Sequence, residues 1–171
     1  GSTFKIVTMA SALSNLPDLD DFAFDCTGYY PVGNYSVTEA SAHGVQTLSD
    51  AFIHSCNTAF AALSQDLGYA LLGETAEQMG FNENFLFSDL IMYNSSYPID
   101  DLSAEDLAWS SIGQGRVLAT PLHMALIAAA VANGGVMNEP RLLGRITTAQ
   151  GGERALPDHM EGWRVMEESV A

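Results

Sequence analysis

Lysine is almost missing from this sequence. Lys5 is the only one in 171 residues, and with five arginines it faces 21 acidic side chains, for a formal net charge of −15. A field of that sign repels phosphate backbones and anionic lipid headgroups, so nucleic-acid binding is excluded. Cysteine is scarce as well. Cys26 and Cys56 stand alone, no Cys-x-x-Cys exists, and His43, His54, His123 and His159 never fall at i, i+4. No local zinc-ligand pattern is present, and no metal is expected. The two thiols read as small buried side chains, with pairing left open. The acidic stretch Asp18-Leu19-Asp20-Asp21-Phe22 fails as a calcium loop, because Phe22 stands at a ligand position and no glycine follows. Long apolar runs are absent too: Met124 to Ala132, nine residues, falls well short of the ~20 that span a bilayer. The opening Gly1-Ser2-Thr3-Phe4-Lys5 has no apolar core behind a basic start, so any export address is expected to lie outside this segment.

What remains is a globular chain. Hydrophobic residues make up 47% and charged residues 16%, against about 25% charged in an average domain. A chain of this length buries roughly 70% of its unfolded surface, enough for a single domain over residues 1–171 without a disulfide scaffold. Phe4, Val7, Ala10 and Leu13 recur every three residues, which predicts a helix from Ser2, with Ser2 as its cap and Pro17 beyond its end. Residues 18–46 read as loop with a short hairpin around Tyr29 to Val37. Thr47-Leu48-Ser49-Asp50 is a capping signal for a helix to about His54. Phe60, Leu63 and Leu67 predict a helix stopped by Gly68, and 69–79 another, closed by Gly80.

Residues 81–101 read as irregular. Ser103 starts a helix with Glu105 and Asp106 in its first turn, ended by Gly113. Thr120-Pro121 starts one that closes at Gly134-Gly135. Arg141 to Leu156 reads as a hairpin about Gly151-Gly152, and Met166 to Ala171 as the first turn of a helix. The expectation is a mainly helical lobe with a little β-structure, whose two ends look cut.

Ser2 stands three positions before Lys5, and on a helix i and i+3 share a face. An amine held in an apolar setting loses basicity and can take the proton of the neighbouring hydroxyl, while the first turn directs free N–H groups at a developing oxyanion. With fifteen serines in the chain, the spacing has about a 9% chance of arising at random, so a capping serine beside a solvated lysine fits equally well. Ser55-Cys56-Asn57 is the only Ser-x-Asn and lies between two predicted helices. It can present a proton-relaying hydroxyl and a substrate-holding carboxamide from one corner, or serve as an ordinary capping turn.

Taken together, Gly1-Ser2-Thr3-Phe4-Lys5, Ser55-Cys56-Asn57-Thr58-Ala59-Phe60 placed 53 positions later, Ile112-Gly113-Gln114-Gly115, Thr120-Pro121 and Gly134-Gly135 resemble the transpeptidase domain of penicillin-binding proteins. The resemblance is to the class B, monofunctional D,D-transpeptidases of Gram-positive bacteria, with their SxxK and SxN motifs. It implies that Ser2 is the acylated nucleophile, Lys5 its general base, Ser55 a relay to the leaving group, and Asn57 a ligand of the substrate backbone. Gln114 receives no role. The implied substrates are D-Ala-D-Ala stem peptides of peptidoglycan, with β-lactams as mimics; no cofactor is implied.

The family's third motif, Lys-Thr-Gly, cannot be present, because Lys5 is the sole lysine. The resemblance therefore implies the helical lobe of the β-lactamase/transpeptidase-like α/β fold, with a small hairpin near the C-terminus and most of the central sheet missing. Such a segment is expected to be inactive or nearly so by itself. Three alternatives share the Ser-Lys pair: a serine β-lactamase, a D,D-carboxypeptidase, and a non-catalytic β-lactam sensor. A β-lactamase needs a deacylating base, and 81–101 is where one is expected. The implied location is the outer face of the bacterial cell membrane, with membrane contact only through parts of the parent protein beyond this chain.

Overall fold

Phe4 is buried at the start of the chain's first helical segment. Its ring stacks on Tyr97 (centroids 5.4 Å apart, planes at 4°) and meets Phe81 edge-on at 5.3 Å, a pairing worth about 0.5–1.5 kcal/mol beyond the area it buries. The turn before it, Ser2–Phe4, is 3-10, and α1 (Lys5–Asn15) continues from it. Ser2 therefore does not cap the helix: Gly1 holds that position, and no side chain caps the turn. The three-residue stripe holds as far as Ala10 but fails at Leu13, which is 42% exposed. Instead Thr8, Ser11 and Ala12 are buried, because α1 is covered on more than one side.

This computed structural model describes residues 1–88, 90–100, 102–156, 158 and 160–171. His159, and Asp101 at the end of the irregular segment, lie outside them. Among the described residues are four further α-helices: α2 (Leu48–Ile53), α3 (Asn57–Gln78), α4 (Ala104–Ser111) and α5 (Pro121–Ala132). Their starts follow the sequence signals. Thr47 closes a capping box with Asp50, the Ser103 hydroxyl accepts from Asp106 N–H, and the Thr120 hydroxyl accepts from His123 N–H. Each such cap stabilises its helix by about 1 kcal/mol. Gly68 sits at φ 74, ψ 166 and breaks α3, so the two helices expected around it share one long element with a kink.

The strands form four two-stranded antiparallel ladders among the described residues. β1 (Ala23–Cys26) pairs with β4 (Gly44–Thr47), and β2 (Tyr29–Val32) with β3 (Tyr35–Thr38). Most of the strand content thus lies before α2, where β2 and β3 form the hairpin expected around Tyr29 to Val37, and the rest lies near the C-terminus. There, β6 (Ile146–Thr147) and β7 (Glu153–Arg154) make a short hairpin, and β8 (Trp163–Arg164) pairs back with β5 (Val136–Met137). The final residues close one turn through Ala171 N–H to Glu167 C=O at 3.2 Å.

Buried hydroxyls stitch α1 to its neighbours. Thr8 donates to Ser111 C=O at 2.7 Å, Ser111 to Phe60 C=O at 3.2 Å, and Thr75 to Ser11 Oγ at 3.0 Å. Two apolar clusters flank this seam, one around Phe4, Leu72, Phe81 and Ile127, the other around Val37, Phe60, Leu63 and Ile112. The seam sets the start of α1 against the start of α3. No helix among the described residues is long and apolar enough to cross a membrane.

Candidate active site

The corner at residues 55–57 follows from how α2 ends. Ser55 N–H bonds Phe52 C=O at 3.0 Å and Cys56 N–H bonds Ala51 C=O at 2.8 Å. These are the two bonds of a Schellman motif, and they place Ser55 at the left-handed position (φ 56) that glycine usually fills. A serine there costs roughly 1–2 kcal/mol relative to the right-handed conformation. Asn57 then opens α3.

Lys5 points into this corner. It is 1% exposed, so the solvated lysine allowed by the sequence is not what the fold produces. Its Nζ lies 2.6 Å from Ser55 O, 2.7 Å from Asn57 Oδ1, 3.0 Å from Ser55 Oγ and 3.3 Å from Ser2 Oγ. All four residues selected from the sequence therefore meet at one nitrogen. An ammonium has only three protons to share among these four acceptors. Once neutral, the amine can donate to the two nearest, Ser55 O and Asn57 Oδ1, and turn its lone pair to the Ser2 hydroxyl. Burial pushes the Lys5 amine below the ordinary lysine value, opposed by the nearby Glu39 carboxylate and the Cys56 thiol.

Glu39 is a member of the site that sequence reasoning did not select. Its Oε1 accepts from Asn57 N–H at the start of α3. It is one of 21 acidic residues and sits in the turn after β3, a position with no sequence signal. The carboxylate that the fold brings to the corner thus comes from outside the 81–101 segment.

Gly113 supports the Ser2–Phe4 turn from behind. At φ 70 its backbone packs against Phe4 and Gly1, and a Cβ there would stand 2.6 Å from Phe4 Cβ and closer still to Gly1 O. The site itself is open, with Ser2 exposed and Ser55 and Asn57 half-buried. A groove of about 670 Å³ runs past the other side of the turn, lined by Gly1, Thr3, Phe4, Pro121 and Met124 among others, and none of the four site residues lines it.

A second cluster stands directly behind the corner. Cys26 and Cys56, both free and fully buried, and half-buried His43 place their donor atoms within 4.8 Å of one another. Local spacing gave no metal pattern; the fold assembles this group from three separate segments.

Residues 1–170 match the penicillin binding protein transpeptidase domain family. The peptidoglycan D,D-transpeptidase PbpA of Mycobacterium tuberculosis is 35% identical over 153 residues, covering 85% of this chain and 31% of that protein. Stage V sporulation protein D of Bacillus subtilis is 30% identical over 145 residues, covering 82% of this chain and 22% of that protein. Among solved structures, the ceftriaxone acyl-enzyme complex of penicillin-binding protein A from M. tuberculosis superposes with a TM-score of 0.86 at 28% identity, over 99% of this chain and 39% of that one. The chain thus spans under a third of the length of these curated relatives.

Proposed function

The chain belongs to the penicillin-binding protein transpeptidase domain family, and from that premise we propose that Ser2, Lys5, Ser55 and Asn57 are the acyl-transfer machinery of a peptidoglycan D,D-transpeptidase. The observation that carries this reading is the meeting of all four at Lys5 Nζ, within 3.3 Å. Neutral Lys5 takes the proton of the Ser2 hydroxyl as Oγ attacks the carbonyl carbon of the penultimate D-Ala. The Ser55 hydroxyl, 3.0 Å from Lys5 Nζ, relays that proton to the nitrogen of the departing D-Ala. An acceptor amine then takes the acyl group from Ser2. Asn57 steadies Lys5 and offers its amide nitrogen to the substrate backbone. β-Lactams acylate the same serine.

Lys-Thr-Gly, the family's third motif, is not among these residues, whose sole lysine is Lys5. In the family that motif lies on a strand that walls the cleft and carries an oxyanion donor. One such donor is worth about 2.7–4 kcal/mol, so residues 1–171 alone acylate feebly or not at all. The parent protein works where peptidoglycan is, on the outer face of the cell membrane.

Labelling with a fluorescent penicillin tests this reading. The intact protein is expected to take a stable label at Ser2, and Ser2→Ala to take none. Label that survives Ser2→Ala rejects the nucleophile; label that forms and is quickly hydrolysed indicates a β-lactamase instead.

A further inference from the structure

Cys26 ends β1, and in the ladder with β4 it stands opposite Gly44. That register places His43 beside it: His43 N–H donates to Cys26 C=O at 3.1 Å, and the ring Nδ1 lies 3.6 Å from Cys26 Sγ. Cys56 reaches the same point from the Schellman turn, at the N-cap of α3. The Thr58 hydroxyl bridges the sulfurs, 3.3 Å from Cys26 Sγ and 3.2 Å from Cys56 Sγ.

The 3.6 Å between Cys26 Sγ and His43 Nδ1 matches a four-coordinate ion. With metal–sulfur and metal–nitrogen bonds of about 2.3 and 2.0–2.1 Å, tetrahedral geometry separates sulfur from nitrogen by about 3.6 Å.

We propose that Cys26, His43 and Cys56 form a three-ligand site for a thiophilic divalent cation of the zinc(II) class, directly behind the Ser55–Asn57 corner. Binding exchanges two thiol protons, released to solvent, for one dication held by two thiolates and a neutral imidazole, with a water or hydroxyl oxygen in the fourth position. The ion ties together three segments that otherwise meet through weak S–H contacts: the end of β1, the start of β4, and the residue between Ser55 and Asn57. Zinc binding here is independent of acyl transfer at Ser2.

The test is a titration of the intact, thiol-reduced protein with cobalt(II), followed by thiolate-to-metal charge-transfer absorption. One equivalent should saturate the signal. Cys26→Ser should abolish the absorption, and His43→Ala, a change at a half-buried loop position, should weaken binding by at least about tenfold. As a second readout, zinc(II) should raise the Tm of the unsubstituted protein and not that of His43→Ala. A reduced, folded protein without thiolate–cobalt absorption overturns the site. So does equal affinity in His43→Ala, or formation of a Cys26–Cys56 disulfide while the metal is present.

Discussion

Lys5 is held more closely by Asn57 than by Ser2: its Nζ stands 2.7 Å from Asn57 Oδ1 and 3.3 Å from Ser2 Oγ. The resting amine is thus positioned by the corner 50 residues further along the chain, and the hydroxyl it would deprotonate is its loosest contact. That ordering suits a base which must free its lone pair toward Ser2 while remaining fixed in place.

The first prediction concerns the protonation of Lys5. Acylation needs the neutral amine, so its rate should climb with pH and level off above a pKa lying below the 10.5 of an ordinary lysine. Glu39 acts to raise that pKa, so Glu39→Gln, which keeps an oxygen acceptor for Asn57 N–H, should move the profile toward lower pH. Lys5→Ala should slow acylation by roughly 10²–10⁴-fold. A rate profile that Glu39→Gln leaves in place would separate Glu39 from the base.

Ser55 occupies a glycine position at some cost in stability, which makes its two smallest substitutions diverge. Ser55→Gly should raise unfolding free energy by about 1 kcal/mol through relief of left-handed strain, whereas Ser55→Ala keeps the strain and gains nothing. Both should slow penicillin acylation by at least about 10²-fold, because the relay hydroxyl is gone. Thermal unfolding and labelling rates read the two effects separately, and full activity in Ser55→Gly would remove the relay.

Gly113 and Gly115 share a positive φ (70 and 64) but not their surroundings. A Cβ at Gly115 meets Trp109 Cβ at an ordinary 3.6 Å, while one at Gly113 collides with Phe4 and Gly1. Each Ala substitution should cost about 1–2 kcal/mol of backbone strain. Gly113→Ala should in addition displace Ser2 and lower the acylation rate, and Gly115→Ala should not. Equal losses in both variants would show that Gly113 does not back the nucleophile.

His123 gives the fold a sensitivity to acid. It is fully buried, its Nε2–H donates to Met79 C=O at 2.9 Å, and its Nδ1 has no partner among the described residues. Burial pushes its pKa below 6.5, against the Met79 bond, which acts to raise it. The unfolded chain therefore binds the proton first as pH falls, and stability should be complete above pH 6.5 and decline below it. Denaturant melts from pH 7 to 5 should show that slope, which His123→Met should flatten while costing about 1 kcal/mol for the orphaned carbonyl.

Much of the local structure was legible in the chain. The Thr47, Ser103 and Thr120 caps, the Gly68 break and the hairpin around residues 29–37 each depend on a few neighbouring residues, and each lies where its signal is. Ser2 does not carry the cap its position suggests, because the first turn is 3-10 and Gly1 stands at its N-cap. Also hidden was the pairing of β5 with β8, two-residue strands too short to carry an alternating pattern.

The sequence alone determined which side chains this protein has to work with: one lysine, one Ser-x-Asn, and a serine one helical turn before the amine. Whether those groups meet was decided only by the tertiary structure. Burial of Lys5, the approach of Glu39 to Asn57, and the gathering of Cys26, His43 and Cys56 all join residues distant in the chain. A pKa and a donor-to-donor distance are set by the dielectric and by neighbours across space, and no local pattern of residues encodes either.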